Sequence, residues 1–463
     1  MSVRRPMPSG PLRAREAGRE QGRSDPRGEA PVRIERRGSG RRVAAVALAA
    51  GLGSIAAVHG WGRWLQMHGV RMRVNAPPLT GNVDPRLSWW SLPSLAVAAG
   101  ALGGADRVAR SLPWRRLMWA TFAGAVGWSA ALAAWDAGAG FTRSASSAVD
   151  YLAALPSIGD VGSFLRSLVA ETSSWPAHVQ AHPPGMVLLL LGMRPLGLAT
   201  PAWLAALEHL AGAASVPAVL LACREVAGER VARSAAPFLV FSSIAITWSS
   251  ADAVFLGVGS WAVASCVLAT GRTGSWSDLL ALAGGTIWAI AMFLSYGIVL
   301  LALVPAVVAW RRRRLRVLGV AALPVAVALG LAALIGFSWL DGLAATRAAY
   351  AQSLARVRPY SYFLFANLAA VAVCVGPAVW AGLARRRSAA RLLAGGALAA
   401  IALADLSGLS KAEVERIWLP FLPWVVVAAG GALADASRGS RRAWLGAQLG
   451  WALLVQAIVL SPW

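Results

Sequence analysis

Long hydrophobic runs alternate with short arginine-rich or polar segments along the chain after residue 42. The runs are continuous stretches of Ala, Leu, Val and Gly, and many have the length that an α-helix needs to cross about 30 Å of hydrocarbon. They lack the alternating pattern of membrane strands, and a helix satisfies its backbone hydrogen bonds within one segment. The pattern predicts an all-α, polytopic membrane protein with about eleven to thirteen transmembrane or re-entrant helices.

The composition supports a membrane protein. Hydrophobic residues make up 57% of the 463 positions, and the mean hydropathy is +0.57. The net charge of +23 comes almost wholly from arginine, and the arginines cluster between hydrophobic runs. Because the positive-inside tendency places arginine there, we expect these clusters to mark cytoplasmic helix ends, and we expect no nucleic-acid partner.

The charge pattern also divides the chain into regions. Residues 1–42 are rich in Arg, Gly, Pro and Ser, which predicts a disordered basic tail in the cytoplasm. Residues 43–463 form the predicted multi-span domain, in the plasma membrane. Working from the arginine clusters, we assign three polar segments to the outer face. These segments are 136–185, 338–360 and 405–417.

Two stretches need irregular helices to keep this topology consistent. Residues 186–193 are predicted to dip into the membrane without crossing it, which leaves 202–222 as the next full span. Residues 279–309 are too long for one ordinary span, and we expect two short helices that meet outside near Tyr296.

The outer loop 136–185 is the main polar interruption of the chain. Because a carboxylate within reach of an acceptor hydroxyl can act as a general base, this loop is the expected site of chemistry. A solvated loop followed by a Pro-Pro helix start is the alternative interpretation. Its candidate side chains are Asp136, Asp150, Tyr151, Asp160, Glu171, His178 and His182.

Within this loop, Asp150-Tyr151 is followed downstream by His182-Pro-Pro-Gly185, which opens a Leu-rich helix. The arrangement resembles the first outer loop of GT-C glycosyltransferases, and most of all the branch with protein mannosyltransferases and lipid A aminoarabinose transferases. The resemblance implies that Asp150 is the catalytic base and that His182 shapes the donor or acceptor site.

The chain departs from that family pattern in three ways. Tyr151 stands where the relatives usually have Glu, Gly185 stands where many have Leu, and two further predicted spans precede the loop. The catalytic base could therefore be Asp136 or Asp160 instead of Asp150.

A second stretch, 411–423, resembles the late Arg-aromatic-Leu-Pro-x-x-Pro segment of the same superfamily, in which an arginine faces lipid phosphate. The resemblance implies this role for Arg416, whose planar guanidinium matches phosphate oxygens, with Lys411 as a further cation and Glu415 beside it. Alternatively, these charges only pair with one another at an exposed helix start. Two tyrosines are also candidates for substrate or lipid-phosphate binding, namely Tyr151 and Tyr296.

No certain cofactor is implied. The chain contains no Walker A, HExxH or GxSxG motif, so nucleotide-driven or hydrolase chemistry has no support. A divalent metal stays open, because His178 and His182 could be ligands if carboxylates converged on them.

The resemblance implies a membrane glycosyltransferase that moves a sugar from a polyprenyl-phosphate donor to an acceptor on the outer face. The acceptor would be an envelope glycan, lipid or protein, and membrane lipids would surround the enzyme. The alternative is a multi-pass transporter or lipid flippase without glycosyl transfer. Such a protein should show internal duplication and ionisable residues near the bilayer midplane.

Overall fold

The protein is described here by a computed structural model. Nearly all of the described chain is helical, and none of the described residues lies in a strand, so the all-α prediction is confirmed. The described residues are 32–72, 74, 85–385 and 388–459. The predicted basic tail therefore lies outside the described residues up to residue 31, and the chain is helical from Val32 onward. The chain divides after Arg41 into two units, and the candidate site lies within the second.

Twenty α-helices, numbered in chain order, occur in the described ranges. They are α1 Val32–Met67, α2 Leu92–Ser111, α3 Trp114–Ala133, α4 Ala139–Thr142, α5 Val161–Ala170, α6 Ala177–Ala181, α7 Gly185–Met193, α8 Pro201–Ala227, α9 Glu229–Val240, α10 Asp252–Thr270, α11 Gly274–Leu294, α12 Leu303–Arg311, α13 Arg316–Leu334, α14 Trp339–Gln352, α15 Tyr360–Val375, α16 Pro377–Ala384, α17 Arg391–Leu406, α18 Val414–Ile417, α19 Leu422–Leu433 and α20 Arg438–Ile458.

Six helices in the described part are long and apolar enough to cross a membrane. They are Arg42–Met67, Trp114–Asp136, Pro201–Ala227, Asp252–Thr270, Gly274–Leu294 and Arg316–Leu334. Counting each strongly bent helix pair as one span raises the number to 8. These pairs are Tyr151–Ser157 with Val161–Ala170, and Tyr360–Val375 with Pro377–Ala384. The sequence-based total of about eleven to thirteen also included shorter segments, which a length criterion for a 30 Å core does not count.

The two irregular stretches differ in how closely they follow the prediction. Helix α7 has only 9 residues and is followed by the long helix α8, as expected for a dip and then a full span. Helix α11 ends at Leu294, and Ser295 is extended, so the break near Tyr296 is present. However, α11 begins at Gly274 and has 21 residues, so it is itself long enough to span, and the prediction of two short helices was wrong on this point.

Capping side chains shape the outer loop. Asp150 begins the 3-10 helix Tyr151–Ser157, and its side chain accepts a hydrogen bond from the first backbone N–H. Asp160 begins α5 in the same way, with Oδ2 2.7 Å from the backbone N of Ser163. Because aspartate at this position satisfies backbone donors that lack a helical partner, two neighbouring caps break the loop into short helices.

Glycines allow close packing around the site. A Cβ on Gly185, at the start of α7, would lie 2.3 Å from the carbonyl oxygen of Phe293 in α11. A Cβ on Gly257, in α10, would lie 2.4 Å from the carbonyl oxygen of Ala211 in α8. Small residues at such positions let helices approach closely. The glycine that departs from the family pattern at residue 185 is thus explained by packing.

Candidate functional site

Asp150 is fully buried and is held from two sides. Its Oδ1 accepts a hydrogen bond from the backbone N of Tyr151 at 2.7 Å, and its Oδ2 lies 3.0 Å from Nδ1 of His178. The backbone N of His178 also donates to the carbonyl oxygen of Val149 at 3.0 Å. Since a carboxylate oxygen accepts, the Nδ1 proton is assigned to His178. A buried carboxylate oriented by an imidazole is an arrangement suited to proton transfer.

His182 lies next to this pair. Its backbone is extended, as expected before a proline, and its Nδ1 lies 2.9 Å from the carbonyl oxygen of His178. The centre of its ring is 5.9 Å from that of Tyr151 and 5.2 Å from that of Phe255. Burial lowers the pKa of His182 to about 4, although the charge of Asp252 acts in the opposite direction. The imidazole is therefore neutral at neutral pH.

Arg416 lies at the other side of the cluster, in the short helix α18. Only 6% of the residue is exposed. Its Nη1 donates to Oδ2 of Asp252 at 2.9 Å, and its Nη2 donates to Oε2 of Glu413 at 2.8 Å. Burial acts to lower the pKa of Arg416, but the charges of Asp252 and Glu413 outweigh it, so the pKa is raised. Arg416 thus pairs within its segment, as the alternative interpretation expected, but it is buried and also pairs with a distant helix.

The loop before Arg416 has a strained backbone. Ala412 and Glu413 have φ values of 77° and 61°, in the left-handed region that non-glycine residues rarely adopt. Asn367 holds the loop in place, because its Nδ2 donates to Oδ1 of Asp405 and to the carbonyl oxygen of Ser410, both at 2.8 Å. Such strain persists only where surrounding contacts enforce it, and it is common at ligand sites.

The first residue of α10, Asp252, joins the two segments. Its carboxylate pairs with Arg416, and its charge also acts on His182. The charges of Asp150 and Asp252 both act on the buried Tyr151. The structure therefore brings Asp150, Tyr151, His182 and Arg416 together around the start of α10.

Three other predicted site residues lie outside the cluster at the start of α10 or at its edge. The Nζ of Lys411 donates to the carbonyl oxygen of Ala355 at 3.2 Å, so its ammonium faces the segment after α14. Tyr296 packs on Trp339, with ring centres 5.1 Å apart. Glu415 is half-buried in α18, one residue before Arg416. These side-chain contacts of Lys411 and Tyr296 are not with Asp150, His182 or Arg416.

The two alternative bases have other surroundings. Asp136 accepts hydrogen bonds from Arg86 and from Arg143, the latter at 2.8 Å. Asp160 is exposed, and its hydrogen bonds with Ser163 lower its pKa. One carboxylate is thus engaged by two arginines and the other caps a helix in solvent, whereas Asp150 is buried beside an imidazole.

Comparisons with known proteins find similarity at the level of structure. No family model matches the chain, and no curated protein matches it. The chain is similar to the crystal structure of ArnT from Cupriavidus metallidurans in the apo state, at 18% identity and a TM-score of 0.39. The match covers 61% of this chain and 56% of that one. ArnT is a lipid A aminoarabinose transferase, so it belongs to the branch that the sequence resembles. At this similarity the likeness carries no argument about activity or site residues.

Sequence reasoning missed Glu208. This residue lies near the start of α8 and is fully buried, and neither carboxylate oxygen has a hydrogen-bond partner among the described residues. The charges of Asp150 and Asp252 act on it. The available signal was the pair Glu208-His209 in the first half of an apolar helix, because ionisable residues in membrane helices are rare and usually functional.

The described residues contain no assembled metal-binding group. Among them, no group of three or more His, Cys, Asp or Glu side chains is arranged to hold an ion. Nδ1 of His178 faces Asp150, and Nδ1 of His182 faces a carbonyl oxygen, so these two nitrogens do not converge on one point.

Proposed function

We propose that this multi-pass membrane protein is a GT-C glycosyltransferase. It would transfer a sugar from a polyprenyl-phosphate donor to a hydroxyl group of an envelope or secreted acceptor, on the outer face of the plasma membrane. The N-terminus would be cytoplasmic. The observation that supports this most is the buried cluster of Asp150, His182 and Arg416 at the start of α10.

Asp150 is the proposed general base. It would take the proton of the acceptor hydroxyl as the hydroxyl oxygen bonds to the anomeric carbon and the bond from that carbon to the phosphate oxygen breaks. His178 would orient the carboxylate through its 3.0 Å contact with Oδ2. His182, neutral and fixed through Nδ1, would direct Nε2 toward the substrate and shape the space between base and phosphate.

Arg416 is the proposed contact for the phosphate. The leaving polyprenyl phosphate gains negative charge, and one preorganised donor at such a position contributes about 3 kcal/mol. Glu413 would be the partner that phosphate replaces, because its side chain is 32% exposed whereas that of Asp252 is 4% exposed. Asp252 would then keep the guanidinium in place during the exchange.

The proposal is tested by sugar transfer in membranes that contain the protein. The donors are radiolabelled polyprenyl phosphates carrying mannose, glucose or arabinose, and the matched variants are Asp150→Asn, Asp136→Asn and Asp160→Asn. We expect Asp150→Asn to lose at least about 100-fold in rate, the usual contribution of a general base. Asp160→Asn should keep its rate. If only Asp136→Asn lost sugar transfer, Asp136 would be the base in place of Asp150. If the wild type transferred sugar from none of these donors, the proposal would be contradicted.

A transporter or flippase is the second candidate, and Glu208 is the observation that favours it. An unpaired ionisable residue within a candidate span commonly marks a substrate path. Reconstitution into vesicles separates the two candidates. A transporter would move a labelled polyprenyl-phosphate sugar between leaflets without cleaving it, whereas the proposed enzyme would release polyprenyl phosphate.

A further inference from the structure

The starting observation is the cost of burying Glu208. Its side chain is 0% exposed and both carboxylate oxygens lack a hydrogen-bond partner among the described residues. Buried polar atoms are nearly always paired, because an unpaired one loses its hydration without compensation. Gln448 is a buried residue that follows this rule, because it donates to the carbonyl oxygen of Val375 at 2.8 Å and accepts from the backbone N of Ala378 at 3.3 Å. Glu208 therefore does not contribute to stability in the way that Gln448 does.

A second unpartnered group lies in the same cluster. The hydroxyl oxygen of Tyr151 is buried and also has no hydrogen-bond partner in the described chain. Packing relates the two residues: the ring centre of His182 lies 5.9 Å from that of Tyr151 and 5.2 Å from that of Phe255 in α10. Helix α10 packs in turn against α8, which carries Glu208. Three oxygen atoms that can form hydrogen bonds thus remain unsatisfied beside the proposed base.

We infer that Glu208 and Tyr151 form a subsite for two neighbouring hydroxyl groups of a sugar. A carboxylate can accept from both hydroxyls of a diol, and the phenol can donate to or accept from one of them, so the diol satisfies all three oxygens. This inference rests on the proposed function, since the sugar would be the one transferred. Glu208 is then a specificity-determining residue that recognises the sugar and not the carrier.

A positively charged ligand group is the competing interpretation of an acidic cluster. The neighbouring carboxylates already have positive or proton-donating partners, because Asp252 pairs with Arg416 and Asp150 contacts His178. The groups that still lack a partner among the described residues are the two carboxylate oxygens of Glu208, which need hydrogen-bond donors, and the hydroxyl of Tyr151. An ammonium group or a metal ion could bind the oxygens of both residues, but neither can accept the phenol proton of Tyr151. A diol can do both.

The first experiment separates recognition of the sugar from recognition of the carrier. Binding of polyprenyl-phosphate mannose, glucose and arabinose is compared with binding of bare polyprenyl phosphate, for the wild type, Glu208→Gln and Glu208→Leu. We expect Glu208→Leu to lower the affinity for the tightest-binding sugar-bearing ligand by about 10-fold or more, because buried groups that bind a substrate hydroxyl discriminate strongly against ligands whose hydroxyl they cannot bind. Bare polyprenyl phosphate should bind all three proteins alike, and Glu208→Gln should be intermediate. Equal weakening for both ligand types would overturn the inference.

The second experiment does not depend on the carrier. Thermal unfolding of the detergent-solubilised protein is followed for the wild type, Glu208→Leu and the control Gln448→Leu. We expect Glu208→Leu to raise Tm by about 2 °C or more and Gln448→Leu to lower it, because only the second loses satisfied hydrogen bonds. A fall in Tm for Glu208→Leu that matches Gln448→Leu would mean a structural role and would overturn the inference.

Methyl glycosides of the same sugars complete the test. At millimolar concentration at least one should raise the Tm of the wild type and not that of Glu208→Leu. Stabilisation by ethylammonium or Mg²⁺ in place of every glycoside would overturn the diol subsite in favour of a cation. If the glycosides act through Glu208 but no polyprenyl phosphate binds, the subsite stands and the proposed donor is wrong.

Discussion

Replacement of Asp252 should strongly destabilise the contact between α10, which begins at Asp252, and α18, which carries Arg416. The Asp252 and Arg416 side chains are only 4% and 8% exposed, and they are 2.9 Å apart. Removing one partner of a buried ion pair costs about 3–5 kcal/mol, because the other charge stays buried without compensation. The Glu413 side chain is 32% exposed, so its pair with Arg416 should contribute at most about 1 kcal/mol.

We therefore expect the loss of stability to follow the order Asp252→Ala, then Asp252→Asn, then Glu413→Gln. Asparagine is intermediate because it loses the charge but keeps an oxygen that can accept from Arg416. The assay is reversible unfolding in mixed micelles, followed by tryptophan fluorescence. Pairing each Asp252 variant with Arg416→Gln in a double-mutant cycle should recover part of the loss. Equal effects of Asp252→Ala and Glu413→Gln would refute the assignment of the buried pair.

Three further outcomes are expected. Glu413→Gln should raise affinity for bare polyprenyl phosphate severalfold in a binding assay, because phosphate no longer competes with a carboxylate for Arg416; unchanged or weaker binding would contradict this exchange. Since the pKa of His182 is lowered from 6.5 to about 4, the unfolded chain takes up a proton that the folded one does not, so stability should fall as pH drops from 6.5 towards 4. The Tm of His182→Gln should lose that part of the acid sensitivity, and an identical pH profile would refute it. Gly185→Ala should lower Tm markedly, because its Cβ would lie 2.3 Å from the carbonyl oxygen of Phe293; the control Gly192→Ala, with open space, should not.

The local features of the site were predictable from the sequence. A carboxylate before an aromatic residue, and a histidine before two prolines, carry the family resemblance that implied roles for Asp150 and His182, with Asp136 and Asp160 left open as alternative bases. Their detailed partners were not predictable. Asp252 and Arg416 are 164 positions apart, and only the packing of α10 against the segment before α19 brings them together.

Helix type was predictable, whereas bends and side-chain directions were not. Hydropathy reports apolar length but not a change of direction, so the pair Tyr360–Val375 and Pro377–Ala384 has the hydropathy of one span although its axes differ by 106°. The sequence placed Lys411 and Arg416 near one helix start, with Arg416 as the expected phosphate contact and Lys411 as a further cation. Their burial and partners separate them, because Lys411 reaches a carbonyl oxygen and Arg416 reaches two carboxylates.

The central claim is that Asp150 does chemistry on a substrate that Arg416 helps to bind. It is tested most directly by measuring donor binding and transfer rate on the same preparation of Asp150→Asn. The account predicts donor affinity within about 2-fold of the wild type and a transfer rate at saturating donor at least about 100-fold lower, as for loss of a general base. Transfer at the wild-type rate by this variant, with its donor bound normally, would contradict the account.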